Sequence, residues 1–294
     1  MLDLRGPESN SGRFSVDIGY QLVFQDQVLV GTRKGTVGEI PSHHNEVETR
    51  TETWVATGRA GVTDWLSLSA SLPYIDRVHR HESEHHPGFF EEQKWTYSGL
   101  GDLTVLGYLT PGAGQGRPSV TLQLGLKAPT GKRNVGEIEG EQPEPMARPS
   151  SGSWDGLVGV QVRHWVDTRT FQGDGVSLPL SAGVLARVNG PGTDDYRAGN
   201  ELQLNVAGGW ALLSRVSLLA QVNTRWRAKD DVGATDGEEA NTGGTAVFAT
   251  PGLRVGFSPT MTAYGYVQMR LYERVNGIQI TAPYHVMVGT SYGF

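Results

Sequence analysis

The chain contains no cysteine and no long run of apolar residues, and lysine is scarce, with 5 lysines against 20 arginines. The missing cysteine excludes a disulfide scaffold, a cysteine-ligated zinc site and a cysteine nucleophile. A helical membrane protein needs about 20 consecutive apolar residues per span, so that class is excluded as well. Because arginine tolerates partial burial in ion pairs better than lysine does, the imbalance suggests fixed internal ion pairs.

The remaining composition narrows the fold class. The 40 glycines disfavour a helical bundle, since glycine costs about 1 kcal/mol per helical position relative to alanine. The 25 aromatic residues are too many for a disordered chain. A net charge of -6 argues against nucleic acid as a partner. Residues 1–5 lack the apolar segment of a signal peptide, so the chain is either cytosolic or numbered from near its mature end, and the strand pattern favours the second.

The dominant pattern in the sequence has a period of two. Apolar residues alternate with smaller or polar ones from Phe14 to Phe24, over eleven residues. A tilted strand needs about 9–11 residues to cross a bilayer, whereas a soluble strand usually has about 5–6. The alternation recurs in eleven further segments, at residues 53–62, 66–74, 102–109, 120–128, 154–163, 176–188, 201–210, 216–227, 247–257, 263–272 and 285–294. Pro251 predicts a bulge or kink in its strand.

The connectors between these segments alternate in length. Long polar connectors lie at residues 25–50, 75–98, 129–152, 189–196, 228–243 and 273–283, and shorter ones at 63–64, 111–118, 166–175, 212–215 and 258–261. Bacterial outer-membrane barrels have an even number of strands, long outer loops and short periplasmic turns. We therefore predict an all-β fold, a single closed antiparallel transmembrane barrel of about twelve strands in the outer membrane of a Gram-negative bacterium. Both termini are periplasmic, with residues 1–12 as a periplasmic tail and 13–294 as the barrel.

Aromatic residues fall at both ends of the predicted strands, where lipid headgroups would lie. The periplasmic set is Phe14, Trp65, Trp210, Phe257 and Phe294, and the outer set is Phe24, Trp54, Tyr74, Trp154, Trp226 and Tyr284. We expect contacts with outer-membrane lipid and lipopolysaccharide. The terminal aromatic Phe294 resembles the signal read by the barrel-assembly machinery. The alternative, a soluble sandwich or propeller, would have shorter strands and connectors without this alternation in length.

Several motifs resemble those of a known family. They lie at residues 98–103, 126–131, 151–155, 196–205, 241–245, 251–254 and 276–279, ahead of the terminal Phe294. In this order they are similar to a family of bacterial outer-membrane barrels labelled "putative MetA-pathway of phenol degradation" transporters, over roughly residues 50–294. The resemblance implies an outer-membrane channel or transporter and does not define its substrate.

Charged residues on the polar strand faces are expected to point into the lumen, because an arginine facing lipid would cost roughly 2–4 kcal/mol at the midplane. The cations are Arg59, Lys127, Arg163, Arg187, Arg225, Arg227, Arg254 and Arg270, and the acids are Asp17, Asp102, Asp155 and Glu201. They predict either a filter that attracts anions or a ladder of ion pairs bracing a narrow interior. The inward tyrosines, Tyr108, Tyr264, Tyr266 and Tyr272, could stack on an aromatic or sugar substrate or simply fill volume.

Two sets of loop residues could bind cations. Residues 79–86 hold His79, His81, His85 and His86, and the first outer loop holds His43 and His44. Imidazoles in such a pattern could bind zinc, copper or nickel, although histidine-rich loops are commonly just solvated. The acidic connectors at residues 137–144 and 230–239 are expected to be solvated, self-repelling surface. No cofactor is predicted apart from a loop-bound divalent metal.

Catalysis is not predicted, because His164 is the one clearly outward histidine and lacks an outward serine nearby. The first interpretation is therefore a porin-like channel or transporter for passive passage of small solutes, anionic or aromatic ones among them. The alternative is a non-enzymatic binding or scaffold barrel, which could capture metal through its histidine-rich loops. An open lumen would support the first, and a lumen filled by side chains or by residues 1–12 would support the second.

Overall fold

The computed structural model describes residues 13–40, 44–86, 89–111, 118–136, 143, 145, 147–167, 177–232 and 238–294. Its strands are β1 (Phe14–Gln25), β2 (Gln27–Val30), β3 (Arg33–Lys34), β4 (His44–Gly61), β5 (Leu66–His86), β6 (Phe89–Leu100), β7 (Leu103–Leu109), β8 (Ser119–Ala128), β9 (Asp155–Asp167), β10 (Ser177–Asn189), β11 (Glu201–Leu213), β12 (Val216–Arg227), β13 (Gly244–Gly256), β14 (Met261–Val275), β15 (Ile278–Thr281) and β16 (Tyr284–Gly293). Short 3₁₀ helices occupy Thr193–Asp195 and Glu238–Asn241. No helix in these ranges is long and apolar enough to span a membrane.

Twelve antiparallel wall strands form a closed barrel, as the alternation predicts. Strands β6 and β7 make one wall strand interrupted at Gly101 and Asp102, since both pair with β5. The barrel closes where β1 pairs with β16, from Ser15 opposite Gly293 to Val23 opposite His285. Strands β2, β3 and β15 form a separate small sheet. This sheet comes directly after β1 and β14 in the chain, so it lies at the end of the barrel that carries the long connectors, here called the long-loop end.

The two faces of each wall strand differ in chemistry. In β8, Leu122, Leu124 and Leu126 are 46%, 55% and 56% exposed on the outside, whereas Gln123 between them is buried inside. The same holds in β1, where Phe14, Val16 and Ile18 are exposed apolar residues. A continuous apolar outer face is unfavourable in water and favourable in hydrocarbon. Lipid is therefore the solvent of this surface.

Three wall strands extend far beyond the apolar belt, and here the sequence-based prediction of a long polar loop at residues 75–98 was wrong. Strand β5 continues to His86 and β6 begins at Phe89, with β5 and β6 paired from Tyr74 opposite Leu100 outward. Alternation of apolar and polar residues is needed only where one face meets lipid. Beyond Trp54 and Tyr74 both faces can be polar, so the ladder continues after the sequence pattern ends.

The register break in β14 lies elsewhere than the proline predicts. Pro251 stays in register opposite Ala220, and the ladder with β14 has a gap at Thr250 and Pro251 without a change of register. The register shift lies between Val247 and Phe248 and leaves Leu271 without a partner on β13. An extra residue in a strand reverses the facing of the residues beyond it. Tyr272 is consequently 47% exposed on the outer face, and its predicted place in the lumen was wrong.

Replacing Leu124 by arginine tests the lipid contact of the outer face. Leu124 lies midway along β8, so we expect Leu124→Arg to lower the free energy of unfolding in lipid vesicles by roughly 2–4 kcal/mol. Leu124→Met, which keeps the site apolar, should change it by less than about 1.5 kcal/mol. Urea titration of the refolded proteins in vesicles measures both values. Equal effects of the two substitutions would contradict a lipid-facing position.

Candidate functional site

Two adjoining cavities open in the lumen at the short-turn end of the barrel. The inner one has a volume of about 330 Å³ and the outer one about 390 Å³. The outer cavity is the mouth, since Phe14, Phe294 and the turn residues Pro259 and Thr260 line it. Arg59 and Arg254 line both cavities and so stand where they meet.

These two arginines are held differently. The guanidinium carbon of Arg59 lies 5.3 Å from the centre of the Tyr108 ring, within the range of a cation–π contact. Ser69 donates a hydrogen bond of 3.4 Å to the Tyr108 hydroxyl. The guanidinium of Arg254, on β13, forms no hydrogen bond or ion pair within the part of the chain that the structure describes. Its guanidinium is thus available to a solute that enters from the mouth.

Tyrosines cover much of the inner cavity wall. Tyr264 and Tyr266 are successive inward residues of β14, and their ring centres are 5.6 Å apart. The hydroxyl of Tyr264 donates a hydrogen bond of 2.8 Å to Asp17 Oδ1. Tyr108 and the apolar Leu106 also line this space. The structure therefore brings together six predicted lumen residues, namely Asp17, Arg59, Tyr108, Arg254, Tyr264 and Tyr266.

A layer of buried amides lies further along the lumen, toward the long-loop end. Asn223 donates a hydrogen bond of 2.6 Å to Asn205 and accepts one of 2.6 Å from Thr250. Gln123 and Gln161 are joined at 3.3 Å. All five side chains are buried. The lumen is much more tightly filled here than at the mouth, as expected for a barrel of this size.

Four further predicted lumen residues form a buried ion cluster at the long-loop end. The Lys127 ammonium lies 2.7 Å from Asp102 and 3.0 Å from Asp155. Arg187 approaches Asp155 at 3.6 Å, and Lys127 also donates to the hydroxyl of Ser153 at 3.2 Å. Two cations and two carboxylates cancel within this cluster. Of the two predicted arrangements, the ladder of ion pairs is the one found in this cluster. The cluster has no net charge that could attract a solute.

Arg227 and Glu201 lie around the same rim. Arg227 is bound to Asp230 at 2.5 Å, and Glu201 is opposite Arg227 across the ladder. Asp230 is buried and accepts hydrogen bonds from Tyr196 and from the amide of Gly199, so the expectation of a solvated acid was wrong at this position.

Three arginines complete the inward set. Arg270 pairs with Glu273 at 3.1 Å and donates to Thr281, which fixes β15 to the barrel. Arg163 lies opposite Ser119 and Ser181 on the inner face. Arg225 lies opposite Gln203 and is exposed.

Five histidines of the predicted metal site, His44, His79, His81, His85 and His86, belong to strands rather than to a loop. His79 and His81 are buried and stack on Trp95, with ring centres 5.7 and 4.4 Å from it. Within the described ranges no group of three or more potential ligands could hold a metal ion. His43 and the side chains of His44, His85 and His86 lie outside the described residues, so metal binding stays a prediction.

The outer face of these projecting strands carries a small ion-pair network. Arg80 donates to Glu92 at 2.6 Å and to Glu48 at 2.9 Å. The hydrogen bond from Arg80 lowers the pKa of Glu92, and the same bonds raise the pKa of Arg80. Burial raises the pKa of Tyr97 on the inner face. These pairs stabilise the extension beyond the membrane, where solvent screening keeps each contribution small.

Sequence reasoning missed the inward glycines that lie opposite the tyrosines of the inner cavity. Gly289 lies opposite Tyr264, and Gly252 lies opposite Tyr266. Glycine at an inward strand position is a signal of close approach by a neighbouring group. That signal was present in the sequence, but it could not be used before the register between strands was known.

Comparison with known proteins identifies the family. A sequence model described as "Putative MetA-pathway of phenol degradation" matches residues 44–276. The chain belongs to this family. The resemblance in its motifs is thereby confirmed. No curated protein matches the sequence.

Two solved structures show the same fold. An outer membrane channel from Pseudomonas putida F1 is 14% identical, with a TM-score of 0.65 over 98% of each chain. The transport unit of the autotransporter AIDA-I from Escherichia coli is 11% identical, with a TM-score of 0.55 over 100% of this chain and 93% of that one. Together with the apolar outer face and aromatic girdles, this fold places the chain in a bacterial outer membrane, as predicted.

Five of the motifs that carry the family resemblance lie at the long-loop end, whereas the motif at residues 251–254 places Arg254 at the mouth. Asp102, Lys127, Ser153 and Asp155 come from three of these motifs and form the buried ion cluster. Two others join where Asn276 donates a hydrogen bond of 2.8 Å to the carbonyl of Thr242. The motifs therefore fix the loops to the barrel, and most of the cavity at the mouth lies outside them.

Replacing Lys127 by methionine tests the ion cluster. Lys127→Met leaves Asp102 and Asp155 buried beside each other without the ammonium between them. We expect a loss of about 3–5 kcal/mol in the free energy of unfolding, as for other buried pairs that lose one partner. Lys132→Met is the matched control, because Lys132 is exposed and, among the described residues, its ammonium donates only to the carbonyl of Ser98. Urea unfolding measures both, and a loss no larger than the control's would contradict the buried cluster.

Proposed function

We propose that this protein is an outer-membrane channel or transporter through which small solutes pass passively, with a preference for anions that carry an aromatic or apolar portion. The observation that carries the proposal is the position of Arg59 and Arg254, which line both cavities at the mouth. A solute entering or leaving at this end has to pass the two guanidinium groups. Cationic side chains at a constriction attract anions and repel cations.

The charge of the lining supports an anion preference. Arg13 also lines the mouth, so three arginines face the two cavities against one acid, Asp17. Asp17 accepts a hydrogen bond from Tyr264, which partly satisfies its charge. The rest of the inner cavity presents tyrosine rings and the apolar residues Leu106, Leu219 and Met287. Cationic groups next to aromatic and apolar surface suit an organic anion better than a fully hydrated inorganic one.

The amide layer supports a limit on solute size. Its side chains are buried and form two hydrogen-bonded groups, one on β8 and β9 and the other on β11, β12 and β13. A solute that crosses the barrel has to exchange these hydrogen bonds for its own. Small solutes and a low unitary conductance are therefore expected, in contrast to the water-filled lumen of a wide porin.

Planar-bilayer recording under a salt gradient tests this function. We expect channels whose reversal potential shows a preference for anions. Arg59→Gln combined with Arg254→Gln should lower the ratio of anion to cation permeability several-fold, because it removes both cations from the constriction. A wild-type preference for cations would contradict the anion selectivity.

Arg215→Gln is the matched control for this experiment. Arg215 lies in the turn between β11 and β12 and is exposed outside both cavities. The substitution removes one arginine charge at the same end of the barrel but outside the constriction, so it should leave the permeability ratio unchanged. A change as large as that of the double variant would mean that general surface charge, rather than the constriction, sets the selectivity.

A second candidate function, a binding or scaffold barrel without conduction, is favoured by the amide layer alone. A lumen that stays filled would block passage while leaving the cavity at the mouth as a binding pocket. The same recordings separate the two functions, because a barrel of this kind shows no conductance in correctly folded wild-type protein. That the chain is not an enzyme stays a prediction, with His164 on the outer face opposite Leu180.

The orientation and partners form part of the proposal. Strand β1 begins and strand β16 ends on the side of the short turns. This supports periplasmic termini and a periplasmic tail at residues 1–12, which lie outside the described residues. Phe294 is 74% exposed and packs edge-on against Tyr292 at 4.9 Å, as suits a signal for the barrel-assembly machinery. Lipid contacts the apolar belt, and lipopolysaccharide is the partner proposed at the outer girdle.

A further inference from the structure

Tyr264 and Tyr266 lie against the wall of the inner cavity, and glycines on the neighbouring strands make this possible. Tyr264 is opposite Gly289 of β16, which in turn is opposite Gly19 of β1. A methyl group at Gly289 would lie 2.5 Å from the Cζ atom of Tyr264, and one at Gly19 would lie 3.4 Å from its hydroxyl oxygen. The ring therefore covers Gly289 and reaches across β16 toward β1.

Tyr266 lies over a second glycine in the opposite direction. Its partner across the ladder with β13 is Gly252. A methyl group there would lie 2.7 Å from the Cε1 atom of Tyr266. Tyr264 lies toward β16 and Tyr266 toward β13, and their ring centres stay 5.6 Å apart, so the two rings form one aromatic stretch of the inner cavity wall.

The Tyr264 ring is fixed at its far end as well. Its hydroxyl donates the 2.8 Å hydrogen bond to Asp17 on β1, two strands away. Gly289 and Gly19 are the positions along this line from which a side chain could lift the ring off the wall. If either carried a larger side chain, the ring would have to rotate into the lumen next to Arg254, which is opposite Tyr264 on the other side.

We propose that Gly19, Gly289 and Gly252 determine the size selectivity of the passage, because they form slots that hold Tyr264 and Tyr266 against the wall and out of the path of the solute. This inference rests on the proposed channel function and adds the residues that set its width. It also explains why glycines, which have no side chain to contact a solute, lie on the inner face at the height of the inner cavity. The arginines would select solutes by charge, and the glycine slots would select them by cross-section.

Substitutions that fill a slot test the proposal. In Gly19→Leu the new side chain would take the place of the Tyr264 hydroxyl, and the first backbone atom near its Cβ is the carbonyl oxygen of Val288 at 4.0 Å. Gly289→Ala fills the slot directly, but its methyl group would also lie 2.9 Å from the carbonyl oxygen of Ile18. Gly58→Leu is the control, because Gly58 is exposed on the outer face with no atom within 4 Å of its Cβ position.

Each variant is made with and without Tyr264→Ala, and conductance is recorded together with the uptake of organic anions of increasing size into liposomes. Gly19→Leu and Gly289→Ala should lower conductance several-fold and exclude the larger anions first. Adding Tyr264→Ala should restore passage to the wild-type level or above, and Gly58→Leu should have no effect. Wild-type conductance in both slot variants, or no recovery on adding Tyr264→Ala, would overturn the proposal.

Unfolding measurements test the glycine slots separately from the channel function. If wild-type protein does not conduct, the proposed function fails, and urea unfolding in vesicles still tests the slots. The shift in midpoint caused by Gly19→Leu or Gly289→Ala should be clearly smaller in the Tyr264→Ala background, since the residues are in contact and their effects are not additive. Additive shifts in both pairs would show that the glycines do not hold the ring, and would overturn the inference.

Discussion

The backbone of a chain in hydrocarbon must satisfy its own hydrogen bonds, because no water is present to do so. In this protein that constraint is met by the closing pair, β1 with β16, which leaves no unpaired strand edge at the level of the belt. Closure also fixes which side chains meet lipid and which meet the lumen. The charges of residues such as Arg59, Lys127 and Asp155 are inside because the outer face has no favourable place for them.

Inside the barrel the charges divide into two groups with different consequences. At the long-loop end, Lys127 and Arg227 are bound to carboxylates and hold loops against the wall. At the mouth, Arg59 rests on an aromatic ring and Arg254 faces the cavity without an ionic partner among the described residues. A charge that is paired with a carboxylate in the interior stabilises a fixed structure. Arg254, which has no ionic partner among the described residues, can bind the charge of a solute anion.

Much of the fold can be predicted from the sequence because a single periodicity controls it. Twelve segments of alternating residues predict twelve wall strands, and the connector lengths predict that long loops share one end. The same reasoning places Arg59, Arg254, Tyr264 and Asp17 inside. It fails at residues 75–98, where no lipid enforces alternation, and at Tyr272, where one extra residue in β14 reverses the face. In both places the strands stay paired although the strict alternation of apolar and polar residues is interrupted, so the sequence pattern does not reveal the pairing.

The sequence by itself determined the class of the protein, the count of wall strands and the face on which each charge lies, since these depend on alternation along one strand. Only the tertiary structure decided which residues become neighbours across strands. It brought Lys127 between Asp102 and Asp155, covered Asp230, and laid Tyr264 over Gly289. These contacts depend on register, and register is set by the whole closed barrel rather than by any one segment.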